Sequence, residues 1–162
     1  MLNNKEGVNI PSKQHILITR IFEAPIDLVF SMWTNPEYLA RWWGPKNNIN
    51  PVCEMDVQPG GSIKIIMQTE EGQRIDVIGV FNEISAPDRL VFTTIKDDEN
   101  GNARMEVLHT VILTEENGKT RLIMNVAIIK SGPEFITSCQ GMELGWNQSF
   151  DRLAEQVISE TN

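Results

Sequence analysis

The sequence predicts an α+β fold: one antiparallel sheet with its helices on one side. Three observations predict it. Between Pro51 and Lys130 the chain runs in short, β-branched-rich stretches joined by polar links such as "TEEGQR", "SAPDR", "DDENGNA" and "TEENGKT". Ahead of that region the apolar period changes from two to about 3.6 in two short segments. Behind it a single apolar stripe continues for roughly six helical turns. Strands in series, followed by a helix rather than alternating with helices, give α+β rather than α/β.

Residues 1–14 read as an N-terminal arm and residues 15–160 as one domain. "HILITRIF" (15–22) has the character of a strand. In "APIDLVFSMWT", Ile26, Val29, Phe30 and Trp33 fall at i, i+3, i+4 and i+7, one face of a helix. Pro25 suits its first position and Asp27 its first turn. In "NPEYLARWWGP", Asn35 can cap a second, shorter helix, and Gly44-Pro45 ends it. Leu39, Trp42 and Trp43 are expected on its buried side. Six strands then follow, near 50–57, 62–69, 73–84, 88–96, 104–114 and 120–130. Joined by short hairpin loops, they make a meander. In the last segment Phe135, Cys139, Met142, Trp146, Phe150, Leu153 and Val157 step by three or four. Gln148, Asp151, Arg152 and Glu155 lie on the other side. A helix this long with one apolar stripe must lie on the sheet.

Some strands are apolar on both faces. Ile75, Val77 and Phe81 alternate with Ile78, Val80 and Ile84, and "LIMNVAII" does the same. Either the sheet curls enough to bury both faces locally or a second copy of the chain covers one of them. Gly141 and Gly145 are expected inside the last helix, where each costs roughly 1 kcal/mol relative to Ala. Close approach to a neighbouring backbone would account for them, and so would room for a ligand beside Trp146.

Composition narrows the function classes. The 162 residues are 41% apolar and 22% charged, with a formal net charge of −8. The acidic excess disfavours nucleic acid as a partner. No apolar run reaches the length of about 18 residues needed for a membrane span. The first residues lack the apolar core of a signal peptide, so a cytoplasmic location is expected. Cys53 and Cys139 show no metal-binding or redox spacing and are expected as two reduced, partly buried thiols, with a disulfide between them as the alternative. No phosphate-loop, dinucleotide, zinc-protease or nucleophile-elbow motif is present, so no metal or cofactor is expected.

The ordered blocks "RIFEAPIDLVFSMWTNPEYLARWWGP", "DVQPGGSIKIIM", "GVFNEISAPDRLVFT", "TVILTEENGKTRL" and "GMELGWNQSFDRL" resemble the START-like helix-grip superfamily. Within it they are most similar to the branch named after the activator of the ninety-kilodalton heat-shock protein's ATPase. The resemblance covers about residues 15–158. It implies a curved antiparallel sheet wrapped around the long C-terminal helix, two small helices closing one end, and an apolar cavity between helix and sheet. The superfamily includes lipid carriers, hormone receptors, polyketide cyclases and a co-chaperone domain. The co-chaperone carries a further N-terminal domain, for which the 14 residues before the first strand leave no room.

Three functions follow as expectations. The first is a non-catalytic protein that binds a small, mainly apolar molecule in that cavity. The second is an enzyme of cyclase or hydrolase type using the same cavity, with His109 or Glu106 as first suspect. The third is a protein-binding domain serving a chaperone. For the first, the candidate lining residues are Trp33, Trp42, Trp43, Met67, Phe81, Phe92, His109, Asn125, Met142 and Trp146. Adjacent helical residues point about 100° apart, so Trp42 and Trp43 cannot do the same job: one is expected to plug the core, and the other to line the cavity mouth or sit partly exposed, unless both simply pack. His109 lies in phase with Met105, Val107 and Val111 on an apolar face. It is expected as a satisfied core or rim residue, or as the group that orients a ligand. Asn125 poses the same choice. The carboxylates Glu54, Asp56, Asp76, Glu106 and Glu143 show no pairing suited to acid–base work, so no catalytic residue is assigned. Arg20 is expected in an ion pair at the rim.

Overall fold

The computed structural model describes residues 15–97, 104–132 and 140–161. The elements in chain order are β1 (His15–Phe22), α1 (Ile26–Thr34), α2 (Pro36–Trp42), β2 (Ile49–Met55), β3 (Ser62–Gln68), β4 (Arg74–Ser85), β5 (Arg89–Asp97), β6 (Arg104–Glu116), β7 (Lys119–Lys130) and α3 (Met142–Thr161). The expected α+β helix-grip architecture is present. All seven strands form one antiparallel sheet in the order β1-β7-β6-β5-β4-β3-β2. The meander runs from β2 to β7, and β1 joins it by pairing with β7.

Local chemistry sets the joints. Asn117 and Gly118 both have positive φ, 56° and 81°, in the two-residue link between β6 and β7. That backbone matches the twist of a tight hairpin, and Asn-Gly adopts it with least strain. Asn35 caps α2 through its Oδ1, which accepts the Glu37 N–H at 2.9 Å. Pro51 has no N–H to give, and the β2–β3 pairing shifts register between Ile49 and Val52.

One face of the sheet carries Ile16, Ile18, Leu122, Met124, Val126, Val111, Leu113, Leu90 and Ile65, all buried. Against this core pack Trp146, Phe150, Leu153 and Val157 of α3, Val29, Met32 and Trp33 of α1, and Leu39 and Trp42 of α2. Elsewhere Leu17, Ile21, Ile78, Ile112 and Ile129 stand exposed in the single chain. No described helix is long and apolar enough to cross a membrane.

Several expectations need correction. Ile84 was expected on the opposite face from Phe81. A register shift between Phe81 and Glu83 inserts one residue, so Phe81 pairs with Phe92 while Ile84 pairs with Leu90, and Ile84 packs against the core. Gly141 lies just before α3 rather than inside it. Phe135 and Cys139, the first two members of the predicted stripe, lie outside the described residues. Cys53, by contrast, is the free, half-buried thiol expected, and burial pushes its pKa up to about 11, so it stays protonated.

Candidate functional site

All four tryptophans converge where α1, α2 and α3 meet the sheet. Trp33 packs edge-on to Trp42 at 4.7 Å and stacks with Trp146 at 6.0 Å between ring centres. Trp43 meets Trp146 edge-on at 5.2 Å. Aromatic pairs of this kind contribute about 0.5–1.5 kcal/mol beyond their buried area.

The adjacent pair divides its roles as the helical angle requires. Trp42 is fully buried and donates its indole N–H to the Met32 carbonyl at 2.9 Å. Trp43 follows the last residue of α2 with an extended backbone, and its ring faces a cleft. That cleft, of about 200 Å³, lies between the sheet and the first turns of α3. The 43–45 segment forms one wall, with Trp43, Gly44 and Pro45. Helix α3 supplies Met142, Gly145, Trp146 and Ser149, and the sheet supplies Met67, Val77, Thr94, Met105, Val107 and His109.

Of the predicted lining residues, the structure therefore brings Trp43, Met67, His109, Met142 and Trp146 together. Trp42 belongs to the core. Trp33, Phe81 and Phe92 surround a separate, deeper void of only about 10 Å³, room for one water at most. The indole N–H of Trp33 is buried with no hydrogen-bond partner among the described residues. Asn125 is misplaced by the expectation. It is exposed, with its Oδ1 3.3 Å from Nδ1 of His15. Strand parity is the reason: Leu122, Met124, Val126 and Ile128 face inward, so Asn125 faces away.

Among the described residues His109 is the one ionisable side chain lining the cleft, and it is almost wholly buried. Its ring stacks on Phe92, 4.4 Å between centres and 9° from parallel. Its Nδ1 lies 3.4 Å from the Phe92 carbonyl oxygen, which can only accept, so Nδ1 carries the proton in the neutral ring. Loss of hydration pushes the His109 pKa down to about 4, against a smaller opposing effect of that bond. The ring is neutral at ordinary pH.

The wall at 43–45 is held from behind by α3. Arg152 donates from one guanidinium nitrogen to the carbonyls of Trp43, Gly44 and Pro45, each at 3.0 Å, and from the other to that of Arg41. Asn50 Nδ2 donates to the carbonyls of Ala40 and Trp43. These bonds satisfy the end of α2, where a helix leaves carbonyls without internal partners. Partial burial lowers the Arg152 pKa, with Glu155 opposing. Ser149 Oγ accepts the Gly44 N–H at 3.1 Å and donates to the Gly145 carbonyl at 3.0 Å. At the far rim Arg20 makes the expected ion pair, 2.9 Å to Asp151.

Gly145 answers the question that the sequence left open. Nothing lies within 4 Å of the place a Cβ would occupy. Close backbone approach occurs instead at Gly79, whose Cβ would collide with the Thr93 carbonyl. Gly145 leaves the cleft open.

A family model described as Activator of Hsp90 ATPase homolog 1-like protein matches residues 23–157. The chain belongs to this family. Its START-like fold recurs in solved structures. Protein NE0264 from Nitrosomonas europaea is 23% identical, with a TM-score of 0.76 over 93% of this chain and 97% of that one. Protein CV1439 from Chromobacterium violaceum is 26% identical, with a TM-score of 0.76 over 88% and 96%. The AHSA1 protein SPO3351 from Silicibacter pomeroyi is 25% identical, with a TM-score of 0.71 over 91% and 99%. No curated protein sequence matches the chain.

The sequence reading missed Gly44, Pro45, Val77, Thr94, Met105, Val107 and Ser149. Met105 and Val107 were within reach, since they share the phase of His109. Val77 and Thr94 enter through cross-strand pairing, which a single sequence does not reveal.

Proposed function

We propose that this member of the family binds one small, mainly apolar molecule in the cleft between sheet and α3, within a single START-like domain spanning residues 15–160. The observation that carries the reading is Gly145. A glycine inside a helix costs about 1 kcal/mol against alanine. Here no neighbour requires the small residue, and a side chain would enter the cleft. The cleft walls are two indoles and three thioethers, which adapt to flat apolar surfaces. A cavity of about 150 Å³ lined by apolar side chains takes up benzene, so about 200 Å³ suits one or two fused rings. Burial of ligand surface would supply the affinity, at roughly 25 cal/mol per Å² before ordering costs.

Binding is favoured over turnover because, among the described residues, the only ionisable lining group is a neutral histidine, and it has no carboxylate partner. On this reading the partner is a small molecule rather than nucleic acid or a chaperone, and the site of action is the cytoplasm.

The test is a titration with naphthalene, followed by NMR of methionine methyl groups. The Met67, Met105 and Met142 methyls should shift saturably, while those of Met32 and Met124, buried in the core, stay in place. Gly145→Leu should keep the fold and weaken binding at least tenfold. No saturable shift in the native protein, or unchanged affinity in Gly145→Leu, would defeat the proposal.

A further inference from the structure

The polar groups of the cleft differ in what they can still offer. Ser149 is committed in both directions, to the Gly44 N–H and the Gly145 carbonyl. Thr94 has a rotatable hydroxyl that donates or accepts, so it imposes no preference. His109 is different. Its Nδ1–H is spent on the Phe92 carbonyl, and its ring is fixed between Phe92 and Trp146, stacked on the first and edge-on to the second at 5.5 Å. Its other nitrogen, Nε2, is a fixed acceptor without a partner among the described residues. The ring that carries it lines the cleft. Among the described residues no cationic side chain lines the cleft.

Resting on the binding reading above, we propose that the cleft selects neutral, flat molecules that carry a hydroxyl or N–H donor, received by Nε2 of His109. Molecules of the same shape that present only acceptors leave Nε2 unpaired and desolvated. Anions fare worst, because they meet a lone pair and no positive charge. Discrimination of this kind is strong because a buried polar group left unmatched costs more than the matched bond gains.

Four probes of common shape test this: naphthalene, 2-naphthol, 2-methoxynaphthalene and 2-naphthoate. Dissociation constants come from the methionine methyl shifts at pH 7. In the native protein 2-naphthol should bind about tenfold more tightly than its methyl ether, the effect of one hydrogen bond of ordinary strength. 2-Naphthoate should bind most weakly. In His109→Phe the naphthol-to-ether ratio should fall to about one. Should that variant fail to fold, nitrogen NMR of the native imidazole gives the answer directly. The Nε2 resonance should move on addition of 2-naphthol and hold still on addition of the ether. Equal binding of naphthol and ether, tightest binding of the naphthoate, or an unmoved Nε2 overturns the inference while leaving apolar binding intact. Failure of naphthalene itself to reach the cleft overturns the underlying reading and the inference with it.

Discussion

Acidification should destabilise this protein through His109, by an amount that can be isolated. In the unfolded chain the imidazole takes up a proton near 6.5, whereas burial holds the folded ring neutral down to about 4. Above pH 6.5 both states are neutral and folding carries no penalty from this group. Between 6.5 and 4 the unfolded state binds the proton and the folded state does not, so stability falls as pH falls. Below about 4 both are protonated and the loss levels off. The window spans about 2.5 pH units at 1.36 kcal/mol each, so the total is about 3 kcal/mol. The comparison is with His109→Gln, which keeps a donor for the Phe92 carbonyl but has no proton to gain. Urea unfolding, read by fluorescence of the four tryptophans, should give nearly parallel denaturation curves at pH 7, 6, 5 and 4. The native protein should lose about 3 kcal/mol more than the variant between pH 7 and 4, a relative midpoint shift of about 1 M urea or more. If the two proteins lose stability in step, the folded imidazole titrates near its ordinary value. The neutral acceptor in the cleft would then fall with it.

Two further outcomes are expected. Arg152→Met should destabilise the fold by about 2–3 kcal/mol, since it strips the donor from the Arg41 carbonyl in the last turn of α2 and from those of Trp43, Gly44 and Pro45 just beyond it. Arg152→Lys should recover only part of this in a thermal melt, because an ammonium lacks the planar fork that reaches four oxygens. Trp42→Phe should cost at least about 1 kcal/mol more than Trp33→Phe in chemical denaturation, although both side chains are buried. The first loses a bond to the Met32 carbonyl, and the second removes an N–H that has none.

Hydrophobic period and turn chemistry made most of the fold legible. The Asn117-Gly118 hairpin, the α2 cap at Asn35 and the α3 stripe from Met142 to Val157 each rest on local rules, and each lies where those rules place it. The Ile84 expectation failed because one extra residue near Asn82 reverses inside and outside for everything beyond it. Asn125 was legible but misjudged, since its neighbours at even positions already fixed the inward face. The cleft was half legible. Trp43 and His109 stand out by type, but Val77 and Thr94 reach the cleft only through the register of β4 on β5 and of β5 on β6. The open space at Gly145 depends on how far the helix stands from the sheet. No spacing along the chain encodes that distance.

The pairing of β1 with β7 also governs how the molecule is made. Each β1 residue meets a partner roughly a hundred residues further along the chain. At a synthesis rate of about 5–20 residues per second, the first strand waits about 5–20 s before its neighbour exists. Until then Ile16, Ile18 and Phe22 have no sheet to complete, and Leu17 and Ile21, exposed even in the finished fold, add to the sticky surface of the nascent chain. The sheet therefore closes late, only once β7 has been made. Shielding of that first strand during translation, rather than the final stability, should set the yield of folded protein.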